Sequence, residues 1–333
     1  MSNRITDYSY LFLASALGAK QPKTLTMERM ERMLGAPSFD EAAKLLADCG
    51  YTDMSGMRVG DVEKTLAVHR VEIFAEVRSL IPEPELLDAF CLKYDYHNAK
   101  VLMKAESAEA DGKYLLSDSG TLSVETLSDA YYSEDYSALP DHLARALGEA
   151  KSILKRTENP QLADFVLDKA YFADMKAVAA RLYSPFLSDY IKVSVDGANL
   201  RATVRTRRMG RDEAFLREAL TEGGNVDIQA LSEAAYSEEG FAWLFDTTLY
   251  RQAAQLGAEA VKGGRLTAFE KECDNVLIRF FGENGYTAFG SQPVIAYLAA
   301  LENEIMAARM ILTGKLTGVD PGLIRERLRD IYA

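Results

Sequence analysis

Acidic and basic side chains recur along this 333-residue chain in one fixed spacing, and that spacing is where chemistry is first visible. Asp95-Tyr-His-Asn98-Ala-Lys100 places an amide three residues after an acid and a base five residues after it. Asp196-Gly-Ala-Asn199-Leu-Arg201 repeats the arrangement, and Glu304 with Arg309 keeps the acid-to-base spacing without the amide. On a helix, residues three apart share a face, so Asp95 lies over Asn98 and Asp196 over Asn199. A residue five positions on is about 140° round the axis. Asp95 and Lys100 therefore face different ways and do not pair with each other. Lys100 with Lys104, and Arg201 with Arg205 and Arg208, make a second, basic stripe. Such helices suit contact between neighbouring lobes or with a protein partner; a solvated face with no assigned partner fits the same spacing.

Other candidate chemistry is sparse. Arg201–Arg217 holds six arginines, read either as a docking surface for carboxylates, which the guanidinium fork binds well, or as charge balance at a lobe boundary. His69, His97 and His142 are scattered without ligand spacing, and no zinc-hydrolase, nucleophile-elbow, dinucleotide or phosphate-loop motif occurs. Gly314-Lys315 does not complete a phosphate loop, because Arg309 stands where its first glycine belongs. Cys49, Cys91 and Cys273 are distant from one another and read as buried small hydrophobes. No catalytic, cofactor-binding or metal-ligating residue is singled out. Met27, Met30 and Met33 form a stripe expected in a core, and Trp243 is expected to be buried as well.

The elements that position these residues are expected to be helices throughout. Apolar residues recur at three- and four-residue spacing over Met27–Leu34, Phe39–Asp48, Val62–Leu80, Leu86–Ala105, Ala144–Arg156, Pro160–Tyr183, Glu213–Thr221, Ile228–Tyr236, Ala254–Val261, Leu266–Phe281 and Val294–Thr313. Alternation typical of strands, bounded by hairpin turns, is absent. The fold class is all-α.

The helices are organised as repeats. Ser119-Gly120 followed by Leu127-Ser-Asp-Ala-Tyr-Tyr-Ser133-Glu-Asp135 recurs as Gly223-Gly224 followed by Leu231-Ser-Glu-Ala-Ala-Tyr-Ser237-Glu-Glu239, at an offset of 104. Leu25, Met27, Met30 and Met33 align with Leu122, Val124, Leu127 and Ala130 at an offset of 97. The three acids are 101 and 108 residues apart. Two landmarks in one order and at nearly one period predict three similar lobes, over 1–115, 116–218 and 219–333. Catalysis usually needs one asymmetric site, so a threefold recurrence argues for a pseudo-symmetric scaffold meeting a symmetric or ring-shaped partner.

Composition narrows the partners. Fifty acids against 38 bases give a net charge of −12, a field that repels nucleic acid and anionic lipid. Nucleic-acid binding and direct lipid binding are not expected. The N-terminus lacks the basic and apolar regions of a signal peptide. The most apolar run, Pro293–Leu301, ends at Glu302, far short of the roughly 20 residues of a spanning helix.

Several of these stretches together resemble one family. They are Gly290–Gly318, Tyr94–Lys100, Asp196–Arg201 and the ending Ile324–Tyr332. They are similar, from about Tyr8 to Tyr332, to the C subunit of the V-type or A-type rotary ATPase, whose eukaryotic counterpart is the d subunit of the vacuolar proton pump. This chain departs from the pattern in the lost amide of the third repeat and in an N-terminal helix broken around Gly18–Thr26. The resemblance implies three helical lobes arranged as a funnel, no catalysis of its own and no cofactor. It implies a central-stalk rotor position on the cytoplasmic face of a membrane proteolipid ring, with the end of the central shaft inserted, so that ATP turnover is coupled to ion transport or ATP synthesis. Lobe-to-lobe or partner contacts are then expected from Asp95, Asn98, Lys100, Asp196, Asn199, Arg201, Arg205, Arg208, Glu304 and Arg309. A helical enzyme with a substrate pocket between repeats is the competing reading.

Overall fold

The structure is a computed structural model that describes residues 7–20, 23–284 and 290–330. Among the described residues every regular element is helical and none is a strand. The α-helices are α1 (Leu11–Gly18), α2 (Met27–Gly35), α3 (Phe39–Ala47), α4 (Val59–Leu80), α5 (Pro84–Ser107), α6 (Val124–Ser133), α7 (Asp141–Thr157), α8 (Pro160–Arg181), α9 (Pro185–Arg208), α10 (Glu213–Ala219), α11 (Ile228–Ala235), α12 (Arg251–Val261), α13 (Leu266–Asn284), α14 (Gln292–Leu316) and α15 (Pro321–Arg327).

Local chemistry fixes where they begin. The side chains of Thr26, Ser38, Ser123, Asn159, Ser184, Asp212, Asp227 and Asp320 each accept a hydrogen bond from a first-turn N–H. Each satisfies a donor that the helix leaves orphaned, a contribution of about 1 kcal/mol. Pro160, Pro185 and Pro321 follow their caps directly, where the missing N–H costs nothing. The helices α1, α6, α9 and α15 are absent from the spacing-based segments; in the 24-residue α9 the buried positions include Asp196, Asn199, Thr203 and Thr206, polar residues that blur its apolar spacing. The expected break after Gly18 is present: α1 stops there and Thr26 caps α2, with 21 and 22 outside the described residues. Tyr332 of the closing motif also lies outside them.

The chain divides into two compact units, Met1–Pro84 with Arg265–Ala333, and Glu85–Gly264. In the first, α14 runs beside α4 and also packs on α1, α2, α3, α13 and α15. Its core holds Leu25, Met30, Met33, Leu46, Met54, Leu66, Ile305 and Ile311, all fully buried. Burial of such side chains contributes about 1.5–3 kcal/mol each. In the second, α7 and α8 form an antiparallel hairpin, α9 lies beside α8, and α10, α11 and α12 pack on α9. One apolar core in this unit joins Tyr96, Ala99, Leu102 and Met103 of α5 to Leu127 and Tyr131 of α6, Leu143 and Leu147 of α7, and Ala163 and Leu167 of α8.

The methionine stripe is largely a core: Met30 and Met33 are fully buried, while Met27 is 48% exposed at the start of α2. Trp243 departs from expectation. It lies 54% exposed in the short 3₁₀ turn Ala242–Phe245, where the buried aromatic position is taken by its neighbour Phe245. The three cysteines are free and buried.

Candidate functional site: three equivalent carboxylate clamps

The recurring acids sit mid-helix on α5, α9 and α14, and all three are buried. Asp95 reaches across to the loop that opens α6. Its Oδ2 accepts from the Thr121 N–H at 3.1 Å and from the Thr121 hydroxyl at 2.5 Å, and its Oδ1 accepts from the Leu122 N–H at 3.1 Å. One turn along, Asn98 pairs both ways with the Ser117 backbone, donating to its carbonyl and accepting from its N–H, each at 2.8 Å. Acid and amide thus hold one loop at two points, which is what their shared helix face permits.

The second copy repeats this arrangement. Asp196 Oδ1 accepts from the Asn225 and Val226 N–H groups at 2.8 and 3.1 Å, and Oδ2 accepts from the Asn225 side chain at 2.8 Å. Asn199 pairs both ways with the Thr221 backbone at 2.8 Å. In the third copy the Glu304 carboxyl takes the N–H of Leu25. Leu25, Leu122 and Val226 are the positions related by the offsets of 97 and 104, and each is followed by the capping residue of a helix: Thr26, Ser123 and Asp227. Each acid therefore holds the entrance of the helix that opens the next repeat, and the third holds the first.

Two glycines show how close the approach is. A Cβ on Gly120 would stand 2.1 Å from Asp95 Oδ1, and one on Gly224 would stand 2.2 Å from Asp196 Oδ1. Lys23 occupies the corresponding place in the first repeat, where the clamping acid is the longer glutamate.

The electrostatics follow from burial. Desolvation pushes Asp95 and Asp196 above the ordinary aspartate value, opposed by the loop donors that stabilise the charged form. For Glu304 the same burial pushes the carboxyl up to about 7, against the Leu25 N–H, the Tyr51 hydroxyl and the Arg29 guanidinium. The aspartate oxygens are occupied by the chain's own donors, so neither carboxylate is free for acid–base chemistry on a substrate. Among the described residues no three histidine, cysteine or carboxylate side chains gather to hold a metal.

The bases lie on the other face of the same helices. Lys100 pairs with Asp168 at 2.5 Å and Lys104 with Asp164 at 2.7 Å, both acids on α8. Arg309 pairs with Glu63 of α4 at 2.6 Å. Arg201 is half-buried and Arg205 exposed. Arg208 donates to the carbonyls of Ala260 and Gly264 at 3.2 and 2.8 Å, satisfying the C-terminal end of α12. In the same arginine-rich segment, Arg207 lies over the Tyr236 ring, Arg211 over the Phe215 ring, and Arg217 pairs with Glu213 at 2.6 Å. Several of these arginines thus make intramolecular contacts.

Sequence reasoning found the acids and amides but missed their partners. Thr121, Leu122, Asn225 and Val226 contribute backbone N–H groups, which any residue type supplies. The usable signal was the aligned pair Gly120 and Gly224, whose recurrence marks a close approach of backbone to another group.

The clamps thus tie helices to loops of an all-helical chain, and at Asp95 and Asp196 the chain's own donors close them. Comparison with known proteins gives the family: the model for the ATP synthase (C/AC39) subunit matches residues 13–327, and the chain belongs to that family. Similar proteins include the C subunit of the V-type sodium ATPase of Enterococcus hirae, 25% identical over 328 residues that cover 97% of this chain and 99% of the relative. The C subunit of the V-type ATP synthase of Thermus thermophilus is 24% identical over 303 residues, covering 87% and 90%. The C subunit of the A-type ATP synthase of Methanocaldococcus jannaschii is 22% identical over 343 aligned residues, covering 96% and 86%. The chain is accordingly an accessory, non-catalytic subunit of a V/A-type rotary ATPase. Among the described residues no helix is long and apolar enough to cross a membrane.

Proposed function

We propose that this chain is the central-stalk rotor component that joins the central shaft to the membrane proteolipid ring, and so couples ATP turnover to ion transport or ATP synthesis. The observation that carries the reading is the recurrence of one clamp at three related positions, Asp95, Asp196 and Glu304. It supports three lobes, 1–115, 116–218 and 219–333, built as a funnel-like scaffold and not around one reaction centre. Lys100, Arg201, Arg205, Arg208 and Arg309 are the bases we assign to lobe-to-lobe or partner contacts, with Asn98 and Asn199 as supports of the clamps.

The excess of acidic charge favours attachment through protein contacts, with the chain peripheral on the cytoplasmic face, because each basic residue near an anionic surface contributes only about 1 kcal/mol and acids are in excess here. A helical enzyme is disfavoured. A groove of about 670 Å³ between α7 and α8 is lined by His142, Arg145, Glu149, Thr157, Phe165 and Lys169 among others, and its Thr157 hydroxyl donates to the Ile153 carbonyl and not to a base. Affinity purification from membranes, followed by mass spectrometry, tests the proposal. Shaft and proteolipid components should co-purify, and the isolated chain should float with ring-containing vesicles but not with bare anionic liposomes. Binding to bare lipid at physiological salt refutes anchoring by protein contacts. Absence of both partners from the purified material refutes the coupling role.

A further inference from the structure

The three clamps are equivalent in position but not in chemistry. Asp95 and Asp196 hold loops 26 to 30 residues away along the chain. Glu304 holds Leu25, and so ties α14 to the segment that enters α2. The groups facing Glu304 come from several elements. Arg29 approaches from α2, where its guanidinium also donates to the Thr24 carbonyl at 2.5 Å. Cys49 and Tyr51 approach from the segment leaving α3. Tyr297 lies two turns earlier on α14 itself. From α4, His69 stacks on Tyr51 with ring centroids 4.0 Å apart, and burial holds its imidazole below the usual value. Arg70 of α4 lies against Glu302 at 3.3 Å, and Glu76 bears on Tyr297. The short α1 contains no titratable residue.

The Tyr51 hydroxyl is fully buried, points at this carboxyl and makes no hydrogen bond of normal geometry. A carboxylate enclosed in this way gains solvation by letting water past the groups that enclose it, and the buried Leu25, whose N–H it holds, is one of them. We propose that Glu304 is a proton-sensitive latch: protonated, it keeps the N-terminal segment around Leu25 closed on α14, and on losing its proton it lets that segment open to water. The carboxyl pushed up to about 7 in the closed state agrees with this, since an open, solvated glutamate would titrate near 4.5. Opening then becomes about tenfold easier for each pH unit across that window, and levels off above it.

Amide hydrogen exchange of the full chain tests the latch, with peptides covering Leu25, Leu122 and Val226 followed from pH 5 to pH 8 and corrected for intrinsic rates. Leu25 should lose about tenfold in protection per pH unit between pH 5 and pH 7, relative to Leu122 and Val226. Glu304→Gln, which leaves His69 in place, should abolish that fall. Should this variant not fold, Tyr51→Phe serves in its stead: it keeps the ring stacked on His69, removes a group that favours the charged carboxyl in the closed state, and should carry the fall on to higher pH while its onset stays in place. The proposal is overturned by Leu25 tracking the two reference amides, by an undiminished fall in Glu304→Gln, or by a fall in Tyr51→Phe that extends no higher in pH than the parent's. None of these outcomes depends on which partners the chain binds.

Discussion

Gly120→Ala is the sharpest perturbation of the clamps. The added methyl carbon would stand 2.1 Å from Asp95 Oδ1 and 3.1 Å from its Cγ, distances that no packing tolerates. Asp95 sits in the middle of α5, so the loop must withdraw from the carboxylate. The N–H groups of Thr121 and Leu122 then lose their acceptor, and a part-buried donor left unsatisfied costs about 1–3 kcal/mol. A total of about 3 kcal/mol follows. For a cooperative unit the size of Glu85–Gly264 that is about 6–12 °C in melting temperature. Differential scanning calorimetry measures it. Gly148→Ala is the matched control: it lies inside α7, its added carbon would meet only the Tyr136 ring at 3.6 Å, and removing a helical glycine should raise stability by about 0.5–1 kcal/mol. If Gly120→Ala melts within a degree of the parent protein, the clamp does not hold the loop and the equivalence of the three sites loses its energetic meaning.

Glu304 binds its proton more tightly folded than unfolded, so its contribution to stability is complete below about pH 4.5 and is lost as the pH rises to about 7, on the order of 3 kcal/mol in all. Glu304→Gln should therefore melt higher than the parent at pH 8 and show a flatter pH profile by calorimetry. Arg309→Ala removes a half-exposed pair with Glu63 and should cost only about 0.5–1 kcal/mol in denaturant titration, less in high salt. Glu302→Ala, by contrast, removes an acid 3.3 Å from the buried Arg70 guanidinium and should cost more than Arg309→Ala in the same titration. Trp243, the single tryptophan, should be readily quenched by acrylamide in the native state; resistance to quenching contradicts its exposed position.

The helices were legible because amphipathic spacing and capping residues act locally. Expected and observed limits of α2, α3 and α8 agree within two residues, set by Thr26, Ser38 and Asn159 at the start. The face shared by Asp95 and Asn98 was legible for the same reason. What those residues grip was not, because the partner groups are main-chain N–H and carbonyl groups that carry no side-chain signature. The pairing of Lys100 with Asp168 escaped as well, since an acid 68 residues away in a chain rich in acids cannot be selected by spacing. Trp243 was misread because an aromatic residue in a short turn has no periodicity to assign its face, and Phe245, two residues on, is the one buried.

The recurrence also bears on how firmly each helix entrance is held. A loop joined to a helix only by apolar packing can slide, because that contact is non-directional. A carboxylate holding two successive N–H groups fixes both the position and the direction of the helix that follows. At Asp95 and Asp196 this is achieved between near neighbours in sequence, with a modest loop to close. The Glu304–Leu25 contact spans almost the whole chain, and closing so long a loop costs about 2 kcal/mol more than closing one of about 27 residues. It is there that further ties gather: Lys315 donates to the carbonyls of Leu34 and Ala36 at 3.0 and 2.6 Å, and Arg325 pairs with Glu31 at 2.7 Å. Side-chain ties thus join segments near the two ends of the chain as well, the junction that chain connectivity alone leaves open.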